Sequence, residues 1–289
     1  MYEDIIEKLN KECEIRNLSP RTSFMYVFHA KKYLEWIGNK PLDELGLIDV
    51  RNYILERKKN GACAAYCNSI SSSLSFFYRH ILHIPWDLDI IPRMKVDWNL
   101  PETLSREQIE KLIDTARNIR NKAIIALVYS SGLRAGEVAR LAPSDIHMST
   151  MQVHVRNSKN RGDHWTVLSE RTLELLKQYW YSYPQPRDVL FVSLRNPHHP
   201  LKVGGIESMM KKVGQEAGLD LHPHTLRHSF ATHLIENNTS REFVQAMLGH
   251  RSSSSTEVYI HVSNKAIMGV KSPLDLPQKK KPGRKKKSD

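Results

Sequence analysis

The first part of the chain carries apolar residues at helical spacing, separated by short polar breaks. Ile5, Ile6 and Leu9 predict an amphipathic helix that ends at about Asn17. Ser19 followed by Pro20 is typical of an N-cap and a first helical position. This second helix should end at Gly38, and its predicted apolar face consists of Phe24, Val27, Phe28, Tyr33, Leu34 and Ile37.

Two further helices and a linker follow. Asp49 can cap a third helix that ends before Gly61, and a fourth is predicted from about Ala62 to Leu82. Beyond it the helical period is lost, and the next residues contain Pro85, Pro92 and Pro101. We therefore predict a four-helix domain over residues 1–85 and a linker over residues 86–103.

The rest of the chain mixes helices with a short β-hairpin. Ser105 and Gln108 have the spacing of a capping box. A strongly apolar helix is predicted over residues 123–141, and a break at Gly132 could bring Arg134 into a cleft. Apolar residues alternate with polar ones on both sides of the turn-rich stretch NSKNRGD, which predicts a hairpin. Further predicted elements are helices at 171–179 and 204–217 and a strand at 189–192. The pattern indicates a mainly α fold with a small β-sheet, a second domain over 104–270 and a tail over 271–289.

Composition and charge add an acidic partner to this picture. The 289 residues carry a formal net charge of +12, and the last eleven contribute +6 of it. Nucleic acid and an anionic membrane surface are the usual partners of such a chain. Seven basic residues of the predicted helical domain can be ordinary solvated surface one by one, but as a set they favour phosphate contacts; they are Arg16, Arg21, Lys31, Lys32, Arg51, Lys58 and Lys59.

No stretch of eighteen apolar residues occurs, and acidic residues lie within the first turns of the chain. We therefore expect a cytoplasmic protein without a membrane partner. The low-complexity tail KKKPGRKKKSD should be disordered and should attract DNA without reading its sequence.

Residue spacing allows a metal site at three places, but another interpretation is favoured at each of them. Cys63 and Cys67 lie four residues apart and can share a metal, but two buried thiols are the better interpretation. His198 and His199 lack nearby acids or cysteines, which favours exposed loop histidines. The pair of His224 and His228, also four apart, lacks the further ligands of a zinc site. We expect neither a metal nor another cofactor.

The stretch from His224 to Tyr259 holds the most distinctive chemistry. It combines histidines, an arginine and a tyrosine in one short span. Arginine presents a fork of donors that matches phosphate oxygens, histidine exchanges protons near neutral pH, and a tyrosine hydroxyl can act as a covalent nucleophile. Such a mixture indicates phosphate chemistry.

Together these residues resemble the motifs of the tyrosine recombinase, or phage integrase, family. The resemblance rests on His224, Arg227, the Leu248-Gly249-His250 turn and Tyr259, nine positions beyond His250. Upstream, SGLRAGEVARL resembles the family's first-arginine box and assigns Arg134 and Glu137 to it, and NSKNRGDHWTVLS resembles its hairpin-lysine segment with Lys159. The family usually has glycine on both sides of that lysine, whereas this chain has Ser158 and Asn160.

The resemblance implies a fold, a reaction and partners. The fold would be an N-terminal SAM-like helical core-binding domain followed by a tyrosine-recombinase catalytic domain. The reaction would be site-specific recombination of double-stranded DNA through a 3′-phosphotyrosyl intermediate, without metal, ATP or a small-molecule substrate. The assembly would be a homo-tetramer on two DNA sites, with a monomer free in solution as an option. A short helix over residues 263–270 would dock into the neighbouring subunit.

The resemblance also implies a role for each residue. Tyr259 would be the nucleophile, Arg134 and Arg227 would clamp the phosphate, and Glu137 would hold the framework. His224, His250 and Lys159 would share the proton transfers.

Alternative interpretations remain open at this point. A type IB topoisomerase-like relaxase uses similar residues, and a catalytically silent DNA-binding regulator can have the same fold. Considered alone, Arg134 reads as a surface arginine paired with Glu137, Lys159 as part of a solvated turn, and Tyr259 as a core residue.

Overall fold

The computed structural model describes residues 2–96, 103–158, 162–182, 188–193, 196, 199–249, 267 and 269–275. Two compact units divide the chain, Met1–Asn99 and Leu100–Asp289. Within the described residues, no helix combines the length and apolar character needed to cross a membrane.

The first unit is helical. Its elements are α1 (Glu3–Ile15), α2 (Pro20–Ile37), α3 (Leu47–Lys59) and α4 (Ala64–Phe77), with a 3-10 turn at Leu42–Glu44 and a π-helical turn at Tyr78–Leu82. The cap at Ser19 forms as predicted, since its hydroxyl accepts a hydrogen bond from the backbone amide of Thr22. Gly38 ends α2 with a φ of 69°, a backbone angle that favours glycine.

Helix α3 begins earlier than predicted. Gly46 is its N-cap, and Asp49 lies three positions further on. The Asp49 carboxylate accepts hydrogen bonds from the Gly46 amide and from the ammonium of Lys40. Asp49 therefore stabilises the start of α3 from inside the helix, and its assignment as the cap was wrong by one turn.

The core of this unit buries two tyrosines that bind each other. The hydroxyls of Tyr33 and Tyr78 lie 2.6 Å apart, and Tyr78 donates to the carbonyl oxygen of Gly46. Burial raises the pKa of Tyr78 to about 12, so both phenols stay neutral at physiological pH.

Three residues of the first unit were expected to be buried and are not, namely Phe24, Phe28 and Cys63. The ring of Phe24 is 66% exposed and stacks on Phe28 at the surface, because the stripe that faces the core consists of other α2 residues, namely His29, Ala30, Tyr33 and Leu34. Cys63 is exposed, whereas Cys67 and Cys13 are buried.

The first unit extends further along the chain than the predicted four-helix domain. Ile91, assigned above to the linker, is 3% exposed within its core. The side-chain amide of Asn68 donates to the carbonyl oxygen of Met94 and accepts from the Met94 amide. The sequence pattern does not predict these contacts, because the segment has no regular period and its residues make separate contacts with the helices.

The second unit contains seven helices and three strands among its described residues. The helices are α5 (Arg106–Thr115), α6 (Ile119–Ser131), α7 (Ala135–Val138), α8 (Glu170–Tyr181), α9 (Val203–Ala217), α10 (Pro223–Glu236) and α11 (Arg241–Met247). The strands are β1 (Ile146–His147), β2 (Gln152–Ser158) and β3 (Gly162–Val167), and 3-10 turns lie at Pro143–Asp145 and Pro273–Asp275.

Helix α6 is the centre of this unit. It is buried on all sides and packs against α5, α8 and α10. The sheet has the antiparallel order β1-β2-β3, and Val153 pairs with Thr166 while Val155 pairs with His164. The two-residue β1 was not predicted, and the predicted strand at 189–192 is wrong: Val192 forms only an isolated bridge to Pro200.

The C-terminal described residues pack onto their own unit. Ile267 is 3% exposed in the main core, and Val270 and Leu274 pack against it. Ser272 donates to the carbonyl oxygen of Ser130 at 2.9 Å. Ile267 and Val270 thus pack within their own chain, whereas the family resemblance implies that this segment docks into a neighbouring subunit.

Candidate active site

Gly132 makes the turn that ends α6 and leads into the first-arginine box. Its φ is 65°, and a Cβ added there would lie 2.5 Å from the ring of Phe230 and 2.9 Å from Leu248. Only glycine permits both this backbone angle and this close approach. The turn places Arg134 as the N-cap of α7.

The carboxylate of Glu137 lies between the two arginines. It is 5% exposed, accepts from the backbone amide of Arg134 at 2.7 Å, and accepts from Arg134 Nη1 at 2.7 Å. Its Oε2 lies 3.7 Å from Nη1 of Arg227. A buried carboxylate in this position offsets part of the positive charge and orients both guanidiniums.

Arg227 projects from α10 and ties two turns together. Nη1 donates to the carbonyl oxygen of Gly132 and Nη2 to that of Leu248, each at 2.6 Å. Arg227 is only 6% exposed. Leu226, Phe230 and Leu234 anchor α10 in the core and so fix where the arginine emerges.

His224 lies one helical turn before Arg227, on the same face of α10. Partial burial lowers its pKa from the usual value, and the nearby charges of Arg227, His228 and Arg134 lower it further. A neutral imidazole at this position can accept a proton as well as donate one.

The structure adds His164 on β3, a residue that no sequence motif indicated. Both of its ring nitrogens are buried, and neither has a hydrogen-bond partner among the described residues. Burial lowers its pKa to about 4, with Arg227 and Arg134 lowering it and Glu137 and Asp163 raising it. Its sequence signal was weak: it lies in a predicted strand, but only the folded chain brings it to the arginines.

Four of the seven predicted site residues lie in the described part of the chain: Arg134, Glu137, His224 and Arg227. Contacts and charge interactions place all four in one region. Lys159, His250 and Tyr259 lie outside the described residues. The described residue before Lys159 is Ser158, at the end of β2. The described residue before His250 is Gly249, which follows Leu248, whose carbonyl oxygen accepts from Arg227.

Metal-binding geometry is absent from the part of the chain that the structure describes, where no three His, Cys, Asp or Glu residues come together as ligands. The assembled groups are two guanidiniums, two imidazoles of lowered pKa and one carboxylate. Such a set suits an anion with several oxygens, because guanidiniums bind oxyanions through paired hydrogen bonds.

Comparison with known proteins agrees with this chemistry. Residues 102–266 match the phage integrase family, and residues 5–88 match the phage integrase N-terminal SAM-like domain. A tyrosine recombinase XerD of Oceanobacillus iheyensis is 32% identical over 269 residues, covering 86% of this chain and 90% of the relative. A putative integrase/recombinase of Sinorhizobium fredii is 29% identical over 274 residues, covering 93% and 88%.

Solved structures share the fold. The Tn1549 transposon integrase in complex with transposon right-end DNA superposes with a TM-score of 0.68 at 18% identity, over 86% of this chain and 91% of that one. The N-terminal SAM-like domain, the mainly helical second unit and its small sheet confirm the predicted fold class. Because the family match spans more than half of the chain, the protein belongs to the phage integrase family and is a tyrosine recombinase that acts in site-specific recombination.

Proposed function

We propose that this recombinase cleaves and rejoins double-stranded DNA through a covalent link between Tyr259 and a 3′-phosphate, without metal or ATP. The observation that carries the proposal is the convergence of Arg134 and Arg227 on the buried carboxylate of Glu137. Two fixed guanidiniums can hold the non-bridging oxygens of a phosphodiester and stabilise the charge that develops when it is attacked.

The proposed cleavage is a transesterification. The Tyr259 oxygen bonds to phosphorus while the bond from phosphorus to the 5′ oxygen breaks. The phenolic proton leaves through His224 or His250, and the departing 5′ oxygen receives a proton from Lys159. Attack by another strand's 5′-hydroxyl reverses these bond changes and restores the tyrosine, so no external energy source is consumed.

The positive charge that the chain itself provides supports the proposal that no metal is needed. Arg134, Arg227 and Lys159 supply the three positive charges that a phosphoryl-transfer site otherwise obtains from metal ions. The lowered pKa of His224 supports a role in accepting or passing a proton near neutral pH.

Double-stranded DNA is the proposed partner. The net charge of +12 favours binding to a polyanion, and a DNA complex is known for the Tn1549 transposon integrase, which shares the fold. We further propose that four copies assemble on two DNA sites, so that two cleaved duplexes can exchange strands.

A nicked suicide substrate tests the proposal, because the small fragment beyond the nick diffuses away and traps the covalent intermediate. With EDTA present, wild-type protein should form an adduct that survives denaturing electrophoresis, and Tyr259→Phe should bind the same DNA without forming it. No wild-type adduct on DNA that it binds would favour a catalytically silent regulator. If the wild type forms the adduct and also relaxes supercoiled plasmid, but exchanges no strands between two DNA sites, a topoisomerase would be favoured.

A further inference from the structure

We propose that His164 is a positioning residue for strand cleavage: its ring supports the Leu248-Gly249 turn and thereby sets the position of His250. The proposal rests on the function proposed above, because it assigns His250 a part in the reaction. His164 itself is given no contact with DNA.

The first step of the argument is the face of the sheet on which His164 lies. His164 pairs with Val155, and two residues further along β3 Thr166 pairs with Val153. Side chains two apart on a strand share one face. Val153 and Val155 are buried, so this face is directed into the catalytic unit.

The second step is that this face contacts both turns tied by Arg227. Thr166 donates from Oγ1 to the carbonyl oxygen of Ser131, directly before Gly132. His164 lies against Gly249, directly after Leu248. Strand β3 thus contacts the same two turns that Arg227 links through the Gly132 and Leu248 carbonyls.

The closeness of the second contact limits where the turn can lie. A Cβ added to Gly249 would be 2.8 Å from both Cε1 and Nδ1 of His164, which is inside van der Waals contact. Gly249 also has a φ of 60°. The glycine backbone therefore rests directly on the imidazole, and the ring limits where the Leu248-Gly249 turn can lie. His250 follows Gly249 directly in the chain.

The third step is the charge of the ring. Glu137, Arg227, Arg134 and Asp163 are the charged groups that act on His164 from the surrounding elements. Because burial and the two guanidiniums both disfavour protonation, the ring is uncharged when it supports Gly249. An uncharged flat ring fills the space without adding a third cation beside the arginines.

The test is a double-mutant cycle on the rate of covalent adduct formation at saturating suicide substrate. His164→Ala should slow the adduct by about 100-fold, the cost of a misplacement near 1 Å, and should leave the Kd for DNA within about 2-fold. In a His250→Ala background the same change should cost almost nothing further, because a residue that acts only through His250 has no remaining effect. A purely structural role would slow both backgrounds equally, and that result would overturn the proposal.

Two more variants define what the ring contributes. His164→Phe keeps a flat ring of similar size and should restore most of the wild-type rate, and a rate as low as that of the alanine variant would contradict support by shape. His164→Leu replaces the alanine variant if the latter does not fold, since it keeps volume but not the flat ring.

His154→Ala is the matched control. Its imidazole lies on the opposite face of the same strand pair, stacked on Trp165 at 4.5 Å, and it should leave the cleavage rate unchanged. An unchanged rate for His164→Ala, with wild type forming its adduct normally, would refute the inference but not the function. The absence of any wild-type adduct would refute the function itself.

Discussion

Nη1 of Arg227 donates to the carbonyl oxygen of Gly132 at 2.6 Å, across 95 residues of sequence. The same guanidinium reaches Leu248 through Nη2. Arg227 therefore joins the first-arginine box to the turn before His250 in addition to its proposed contact with phosphate. A single side chain links the geometry of the site to the stability of the fold.

Arg227→Lys should damage both properties. A lysine ammonium cannot bridge two carbonyls with the planar fork of arginine. We expect adduct formation to fall by at least about 100-fold and the free energy of unfolding to fall by about 1 to 3 kcal/mol. Single-turnover cleavage and urea denaturation measure the two effects. Arg241→Lys, at the exposed start of α11, is the control and should change neither.

Three glycine-to-alanine variants separate backbone strain from steric overlap. Gly218→Ala has a φ of 70° and open space around the added methyl, so it should cost about 1 to 2 kcal/mol from backbone strain alone. Gly132→Ala adds overlap with Phe230 and should cost about 1 to 3 kcal/mol more. Gly136→Ala lies in helical α7 with only an ordinary 3.6 Å contact and should be neutral or slightly stabilising. Equal losses at Gly132 and Gly218 would show that the Phe230 contact relaxes freely.

Asp275 should stabilise the start of α8 directly, although it lies 106 residues beyond Ser169 in the sequence. Its carboxylate accepts from the Ser169 hydroxyl and from the Glu170 amide, at the start of the helix. Asp275→Ala should lower the free energy of unfolding by about 1 kcal/mol, measured by thermal or urea denaturation. Asp220→Ala, an exposed carboxylate outside any such cap, should leave it nearly unchanged.

Acid should destabilise this protein in part through His164. Its pKa falls from 6.5 to about 4 on folding, so the unfolded chain binds more protons between those values. Stability therefore decreases as the pH falls through this window, by about 2 to 3 kcal/mol from this residue. Urea denaturation at pH 7 and pH 5 should show a smaller pH dependence for His164→Phe than for wild type. An identical dependence would mean that His164 does not titrate differently on folding.

Removal of residues 276–289 should weaken DNA binding without affecting the fold. The removed segment carries a net charge of +6. We expect an unchanged Tm and a slope of log K against log salt that is smaller by up to about 5. Binding titrations at several salt concentrations measure the slope. A deletion that abolishes the covalent adduct at saturating DNA would contradict a purely electrostatic role.

The sequence predicted those features that depend on local rules. The Ser19 and Ser105 caps and the pairing of β2 with β3 follow from residue type and spacing, and all are present. The Arg134 box, with Glu137 one turn later, was recognised from its motif before any contact was known.

The remaining features depend on contacts between distant residues. The apolar character of Phe24 did not predict which face of α2 is buried, because its ring stays at the surface. Ile91 and Met94 join a core through the side chain of Asn68, without any repeat in their own segment. His164 acquires its neighbours only when β3 packs under Gly249, a contact between residues 85 positions apart.

The anchoring of the C-terminal segment limits how far the nucleophile can travel. Gly249 is held beside Arg227, and Ile267 is buried in the core of the same unit, so the chain between them is tethered at both ends. Tyr259 is eight residues from Ile267, which allows a span of at most about 28 Å from that anchor. This tether therefore sets the outer limit of the reach with which the Tyr259 phenol can act on a phosphate in the proposed reaction.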